Sequence, residues 1–271
     1  MNEIKKQYLD GVSSLSIAKN LNIPYRQVRS FLSKEGILKS KKRIKNSEFN
    51  FDFFYNIDAP EKAYFLGLFH GDACVHTTPD NKLRFVINLK EEDGYLLQKL
   101  MVLLGLPLSK VKIRPQRIGG PQYVFQSGNS DFIKPLLDIK NLNIVDKIPK
   151  EFINHFLRGV FDADGTIYTK YSKKTYRYYY MGYIGNEALV QFVNEYSPVR
   201  FKFRSTNSKG IYRAEIYSKE DVLTFGEFLY KDSTVHMHRK YNKFLDAKFH
   251  YRTSTTTRKT PDSLLKGDDI V

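Results

Sequence analysis

A stretch that occurs twice constrains this chain more than any other feature. Phe156 to Ile167 reads FLRGVFDADGTI, an apolar run that closes on Asp162 and Asp164 ahead of Gly165. Phe65 to Val75, FLGLFHGDACV, aligns with it so that Gly67 matches Gly159, Gly71 matches Ala163 and Asp72 matches Asp164, 92 residues apart. Repeats of ~20–50 residues would indicate a solenoid or propeller, so this spacing predicts two pseudo-symmetric halves. In a helix, Gly67 and Gly71 share a face, as do Gly159 and Ala163, because residues four apart are neighbours on the helix surface. Small residues at that spacing let two helix backbones approach closely. If the two helices pack, their ends meet, and each end carries an aspartate where the helix dipole disfavours a carboxylate. Two carboxylates side by side also repel, which raises one pKa. A divalent cation removes both penalties, and Mg²⁺ is typically held by one or two carboxylates plus substrate phosphates. The arrangement therefore predicts a metal-dependent phosphodiester site. The plainer alternative, ordinary helix-end aspartates with Gly165 as a C-cap, fits one copy better than two.

Both stretches resemble the LAGLIDADG motif, and the chain is similar to the double-motif, single-chain LAGLIDADG homing endonucleases. The second copy, LRGVFDADG at residues 157–165, is close to the pattern. The first, FLGLFHGDA at residues 65–73, has His70 at the first acidic position and Ala73 in place of glycine. The resemblance implies that the last acidic position of each motif, here Asp72 and Asp164, is catalytic and holds the metal, Mg²⁺ or Mn²⁺. It implies hydrolysis of both DNA strands across the minor groove, and a basic residue in each half that stabilises charge on the phosphate. By position those residues are Lys147 in NIVDKIP and Lys240 in MHRKYNKF, each equally readable as a phosphate anchor or a surface lysine.

Charge agrees with a polyanionic partner. The chain has 44 Lys and Arg against 29 Asp and Glu over 271 residues, a net charge of +15. One cysteine, Cys74, excludes an intramolecular disulfide. No apolar run reaches the ~18 residues of a membrane span, and MNEIKKQYLDG lacks a signal peptide's apolar core, so the expectation is an intracellular protein of the cytoplasm or nucleoid with no membrane partner. The ends, Met1-Asn2 and Asp269-Ile270-Val271, differ from those of a protein-splicing element, which favours a free-standing or intron-encoded monomer.

Residues 1–50 hold eleven Lys or Arg and four acidic residues. Residues 1–37 read as three short helices, Asn2 to Leu9, Ser14 to Leu21 and Tyr25 to Ser33, with a break at Asn22-Ile23-Pro24. This resembles a helix-turn-helix whose last helix offers Arg26, Gln27 and Arg29 to base edges and phosphates. Such a module also serves elsewhere as a plain interaction domain. Residues 38–58 read as a linker whose Lys41, Lys42 and Arg43 track phosphates, while aromatic FNFDFFYNI at 49–57 packs on the following domain.

The fold class expected is α+β: two αββαββα half-domains, 59–148 and 149–251, forming a DNA-binding saddle, with the all-α module in front and a flexible tail at 252–271. KLRFVINLK at 82–90 alternates as a half-buried strand does. Strand faces of this kind can read a major groove, where Arg pairs with guanine and Asn or Gln with adenine. The candidate reading residues are Arg84, Asn88, Arg114, Gln116 and Gln122 in the first half, with Tyr168, Lys170, Lys202, Arg204 and Arg213 as counterparts, each equally readable as part of a solvated strand face. In RYYYMGY the aromatics fall at both parities, which leaves the facing of that strand open. Zinc-finger, zincin and P-loop motifs are absent, and His236 and His238 in VHMH read as a turn or helix start. The function expected is site-specific double-strand cleavage by an intron-homing type of endonuclease. The alternative is a non-cleaving DNA-binding regulator or RNA-splicing maturase on the same fold, suggested by the divergent first motif.

Overall fold

The computed structural model describes residues 2–9, 12, 14–37, 49–116, 119–137, 146–172 and 176–256, in two compact units, 1–48 and 49–271. The first unit has α1 (Asn2–Leu9), α2 (Ser14–Asn20) and α3 (Tyr25–Lys34). Ile4, Ile17, Ala18, Val28 and Leu32 form its core, with Leu21, Ile23 and Phe31 packed around them. Asn22 takes the left-handed conformation (φ 51) in the turn between α2 and α3, and Pro24 caps α3. Arg26, Gln27 and Arg29 lie exposed on α3. Lys41, Lys42 and Arg43 lie outside the described residues.

The second unit is built on α4 (Pro60–Asp72). Pro60 suits a first turn, where its missing N–H is not needed. β1 (Ala73–Thr77), β2 (Leu83–Lys90), α5 (Gly94–Leu103), β3 (Lys112–Arg114), β4 (Gln122–Ser127) and the short α6 (Ser130–Ile133) complete the first half. The second half follows with α7 (Ile153–Asp164), β5 (Gly165–Ser172), β6 (Tyr176–Asn186), α8 (Glu187–Tyr196), β7 (Lys202–Ser205), β8 (Ile211–Ile216), α9 (Lys219–Tyr230) and α10 (His238–Thr256). Each half holds a four-stranded antiparallel sheet, ordered β1-β2-β4-β3 and β5-β6-β8-β7. The α+β class and the duplicated half stand.

The two halves share one core. Phe53, Phe54 and Ile57 are buried in it, and Phe54 meets Phe69 and Phe132 edge-on at 5.4 and 5.8 Å. Residues 49–57 thus belong to the folded unit. α10 runs through Thr256, past the point where the tail was placed, and residues 257–271 lie outside the described ones. Among the described residues no helix is long and apolar enough to cross a membrane.

The helix after β4 is shorter than the duplicated pattern suggests. It spans only Ser130–Ile133, followed by a 3-10 turn at Lys134–Leu136, because Pro135 lacks the N–H an α-helix would use. Register also settles the aromatic strand. Tyr179, Met181 and Tyr183 of β6 are buried, so Tyr178, Tyr180 and Ile184 face outward. The inward tyrosines find polar partners, as buried tyrosines must: Tyr183 donates to the Leu157 carbonyl (3.1 Å) and Tyr179 to Asp246 (2.6 Å). Outward, Tyr168 and Tyr180 stack at 5.0 Å with Lys170 over Tyr180 at 4.5 Å.

Candidate active site and nucleic-acid interface

α4 and α7 run side by side in the same direction, and their glycines are in mutual contact. An ideal Cβ on Gly67 would lie 2.0 Å from the Phe156 carbonyl oxygen, and one on Gly159 would lie 2.0 Å from that of Tyr64. Only hydrogen fits at either place. One turn further on, a Cβ on Gly71 would fall 2.3 Å from the Ala163 Cβ and 2.6 Å from Asp164 Oδ2. The second motif's terminal carboxylate therefore lies against the backbone just before Asp72. Both aspartates are exposed.

Each helix passes straight into a strand. Ala73 (ψ 158) and Gly165 (ψ 161) are extended, so Gly165 is not the left-handed cap of the plainer reading. Glycine is needed there for space, since a Cβ would meet the Phe161 ring at 2.2 Å.

A buried polar network supports this end of α7. Asp162, fully buried, accepts from the Tyr64 hydroxyl (2.8 Å) on α4 and from the Met237 N–H (2.7 Å) ahead of α10. Burial pushes its carboxyl up to about 6, against the pull of Lys240 and these two donors. Arg158, one turn earlier and also buried, donates to the carbonyls of Val235 (2.9 Å) and Leu229 (2.7 Å) and lies over the Tyr64 ring. The first half reaches the same segment: Tyr95 donates to the His236 carbonyl (2.8 Å) and accepts from the His238 N–H (2.7 Å), and Arg239 pairs with Asp93 at 3.0 Å. His238 stacks on Tyr95 at the start of α10, as expected of a helix start and not of a metal ligand.

Lys240 is the outcome of these restraints. Its Nζ donates to the carbonyls of Phe161 (2.7 Å) and Asp162 (2.7 Å) at the end of α7 and of Gly165 (2.6 Å) at the start of β5, the Phe161 oxygen also accepting from the Gly165 N–H. Burial lowers its pKa to about 8, opposed by the charges of Asp162, Asp72 and Asp164. Lys240 thus senses both terminal carboxylates while its protons are on backbone oxygens.

Lys147 is not brought to them. It lines a cavity with Phe54, Tyr55, Ile57 and Pro135, beside the starts of α4 and α7.

The sheets place the expected reading residues together. Arg84, Asn88, Arg114 and Gln122 have the parity opposite to buried Phe85, Ile87 and Leu89, and Gln116 donates to Gln122 at 3.1 Å. In the second half Tyr168, Lys170, Lys202, Arg204 and Arg213 share the outward face. The same parity adds Lys90, Lys112 and Gln126 to the first face and Tyr180, Glu215 and Tyr217 to the second. Strand alternation could have found the first three. Inward-pointing Ile113 and Phe203 stay 60% and 44% exposed because β3 and β7 are edge strands.

The donor set at the helix ends fits a hard divalent cation. It is two exposed carboxylates, and a Cβ at Gly71 would crowd the Asp164 oxygen. Among the described residues no cluster of three or more His, Cys, Asp or Glu could hold a metal alone, so phosphate oxygens would have to complete the shell.

Residues 151–229 match the LAGLIDADG-like domain family. Among solved structures, the chain is similar to the LAGLIDADG meganuclease I-AabMI bound to uncleaved DNA, at 17% identity and TM-score 0.50 over 73% of this chain and 92% of that one. It is similar to I-SmaMI bound to an uncleaved DNA target with calcium ions, at 11% identity and TM-score 0.52 over 75% and 94%. The homing endonuclease I-LtrWI bound to target DNA gives 11% identity and TM-score 0.52 over 76% and 92%. No curated protein sequence matches the chain.

Proposed function

From a chain whose second half is a LAGLIDADG-like domain and whose two halves share the fold of these meganucleases, we propose a sequence-specific endonuclease that cuts both strands of double-stranded DNA with a divalent metal. One observation carries this reading: two exposed aspartates, Asp72 and Asp164, end two helices that touch through glycine, with an Asp164 oxygen against Gly71. Neither stability nor solubility accounts for two acids there in a chain of net charge +15.

Asp72 and Asp164 would hold the cation, Mg²⁺ or Mn²⁺. Such a cation would supply Lewis-acid polarisation of the phosphoryl oxygens and a water of lowered pKa. The chain's own residues do the rest. Lys240 ties the carbonyls of Phe161, Asp162 and Gly165, which keeps the Asp164 carboxylate aimed past Gly71. It acts as a positioning residue whose charge offsets the two acids. Asp162, bonded to Tyr64 and Met237, keeps α7 against α4 and so sets the spacing of the two terminal carboxylates. The outward faces of the two sheets, together with Arg26, Gln27 and Arg29 of the first unit, bind the duplex. Lys41, Lys42 and Arg43 extend that footprint.

The test uses duplexes selected from a randomised library for binding to the wild-type protein. Cleavage of the selected duplex with Mg²⁺ is expected, with loss of at least ~10³-fold in Asp72→Asn and in Asp164→Asn while duplex affinity stays within several-fold. Wild-type protein that binds the selected duplex and never nicks it in Mg²⁺ or Mn²⁺ would refute the nuclease and favour a regulator.

A further inference from the structure

The outward faces of the two sheets carry lysine, arginine, asparagine, glutamine and tyrosine, and among their described strand residues one acid, Glu215. Cross-strand register puts it in a row with Thr166, Gly182 and Lys202, since Thr166 pairs with Gly182, Gly182 with Glu215 and Glu215 with Lys202. A carboxylate here opposes phosphate binding, and yet it is held in place. The Tyr168 hydroxyl donates to Oε1 at 2.7 Å and Arg213 Nη1 is 3.9 Å from the same oxygen. Burial and the adjoining Glu215 charge raise the Tyr168 pKa, so its hydroxyl stays a donor. Glycine is required at 182 for Glu215 to pack across the strand, because a Cβ there would lie 2.5 Å from the Ala214 carbonyl oxygen and 3.1 Å from the Glu215 Cγ. The result is a surface cavity lined by Asp164, Thr166, Tyr168, Gly182, Arg213 and Glu215, which runs from the terminal carboxylate onto the sheet.

The first half has a different residue at the equivalent place. There Cys74 pairs with Val86 and Val86 with Gln126, so Cys74, Val86 and Gln126 correspond to Thr166, Gly182 and Glu215. Gln126 is exposed, and an amide both donates and accepts. A carboxylate only accepts. In the major groove the acceptor-only partner is suited to the N4 amino group of cytosine, whereas the amide is suited to adenine.

We infer that Glu215 is a specificity-determining residue that selects cytosine at one base pair on the second half's side of the target, making the recognised site asymmetric near the cleavage centre. This rests on the DNA-binding reading given above. Tyr168 keeps the carboxylate from turning to Lys202 or Arg213, and the surface cavity that Glu215 lines with Thr166 and Arg213 admits the base edge.

The experiment selects binding duplexes from a randomised library with wild-type protein, Glu215→Gln and Glu215→Ala, without added metal. Wild type should enrich one site that includes a required cytosine. Glu215→Gln, of the same shape and still able to accept from Tyr168, should lose preference for that cytosine by about 10-fold while every other position keeps its base frequencies. Glu215→Ala should do the same and bind unselected duplex more tightly, as a charge opposed to phosphate has gone. A merely structural role would weaken all positions together. If both variants recover the wild-type site with unchanged frequencies throughout, or weaken every position together, the inference is overturned and DNA recognition stands. If wild type enriches no site, the DNA-recognition reading falls and the inference with it.

Discussion

Gly67→Ala tests the close approach of α4 and α7 on which the site depends. The added methyl would lie 2.0 Å from the Phe156 carbonyl oxygen, 2.8 Å from the Val160 nitrogen and 3.0 Å from the Gly159 Cα, all backbone atoms with no rotamer to change. Relief requires the helices to part by roughly 1 Å. Over the ~18 Å length of a 12-residue helix and a contact ~8 Å wide, that opens on the order of 140 Å³, which at ~24 cal/mol per Å³ costs about 3 kcal/mol. Alanine's better helix propensity returns about 1 kcal/mol. The net loss of ~2 kcal/mol lowers Tm by roughly 4–8 °C for a unit of this size. Thermal unfolding followed by circular dichroism, with urea unfolding as a check, measures it. A Tm equal to or above wild type would mean that the helices do not touch at these glycines, and the argument for two adjoining carboxylates would fail with it.

Two further expectations follow from the same geometry. Asp162 has a folded-state pKa of about 6 against an ordinary 3.8. A raised carboxylate binds its proton more tightly in the folded state, so its contribution is fully favourable below about pH 3.8 and is lost as pH rises through about 6, on the order of 3 kcal/mol in all. Asp162→Asn, which can still accept from Tyr64 and Met237, should therefore lessen the fall in stability between about pH 4 and 7. Urea unfolding across that range that gives the same pH slope for both proteins would contradict the buried charge. Separately, residues 49–271 form a compact unit with its own core, so removal of 1–48 should leave it folded. Its footprint on a selected duplex should shorten at one end, and its salt slope should fall by about 0.9 for each phosphate that the shortened protein no longer neutralises. An unchanged footprint and slope would make the first unit an interaction module.

Much of this was legible in the sequence for identifiable reasons. The duplicated small-residue face appears as glycine, or alanine, at a four-residue spacing because the helix backbones come so close that a Cβ on Gly67 or Gly159 would lie 2.0 Å from the facing carbonyl oxygen. Strand faces such as Leu83–Lys90 appear through alternation, which a half-buried sheet requires. Tyr176 to Tyr183 did not reveal its facing, because tyrosine suits either side: inward with a hydrogen bond from its hydroxyl, outward in a stack with lysine. Asp162 looked like the expendable acid of DADG, since His70 stands in its place in the first copy. Its partners, Tyr64 and Met237, lie 98 and 75 residues away.

The sequence by itself determined the two halves, the sheet faces and the two terminal aspartates, all properties of local period and of a repeat that aligns without gaps. The tertiary structure alone decided which lysine attends those aspartates. Lys147 and Lys240 occupy similar places in their half-sequences, but Lys147 precedes α7, whereas Lys240 lies on α10, the helix that follows α9. That helix lays Lys240 on the carbonyls of Phe161, Asp162 and Gly165, while Lys147 lines a cavity with Phe54, Ile57 and Pro135.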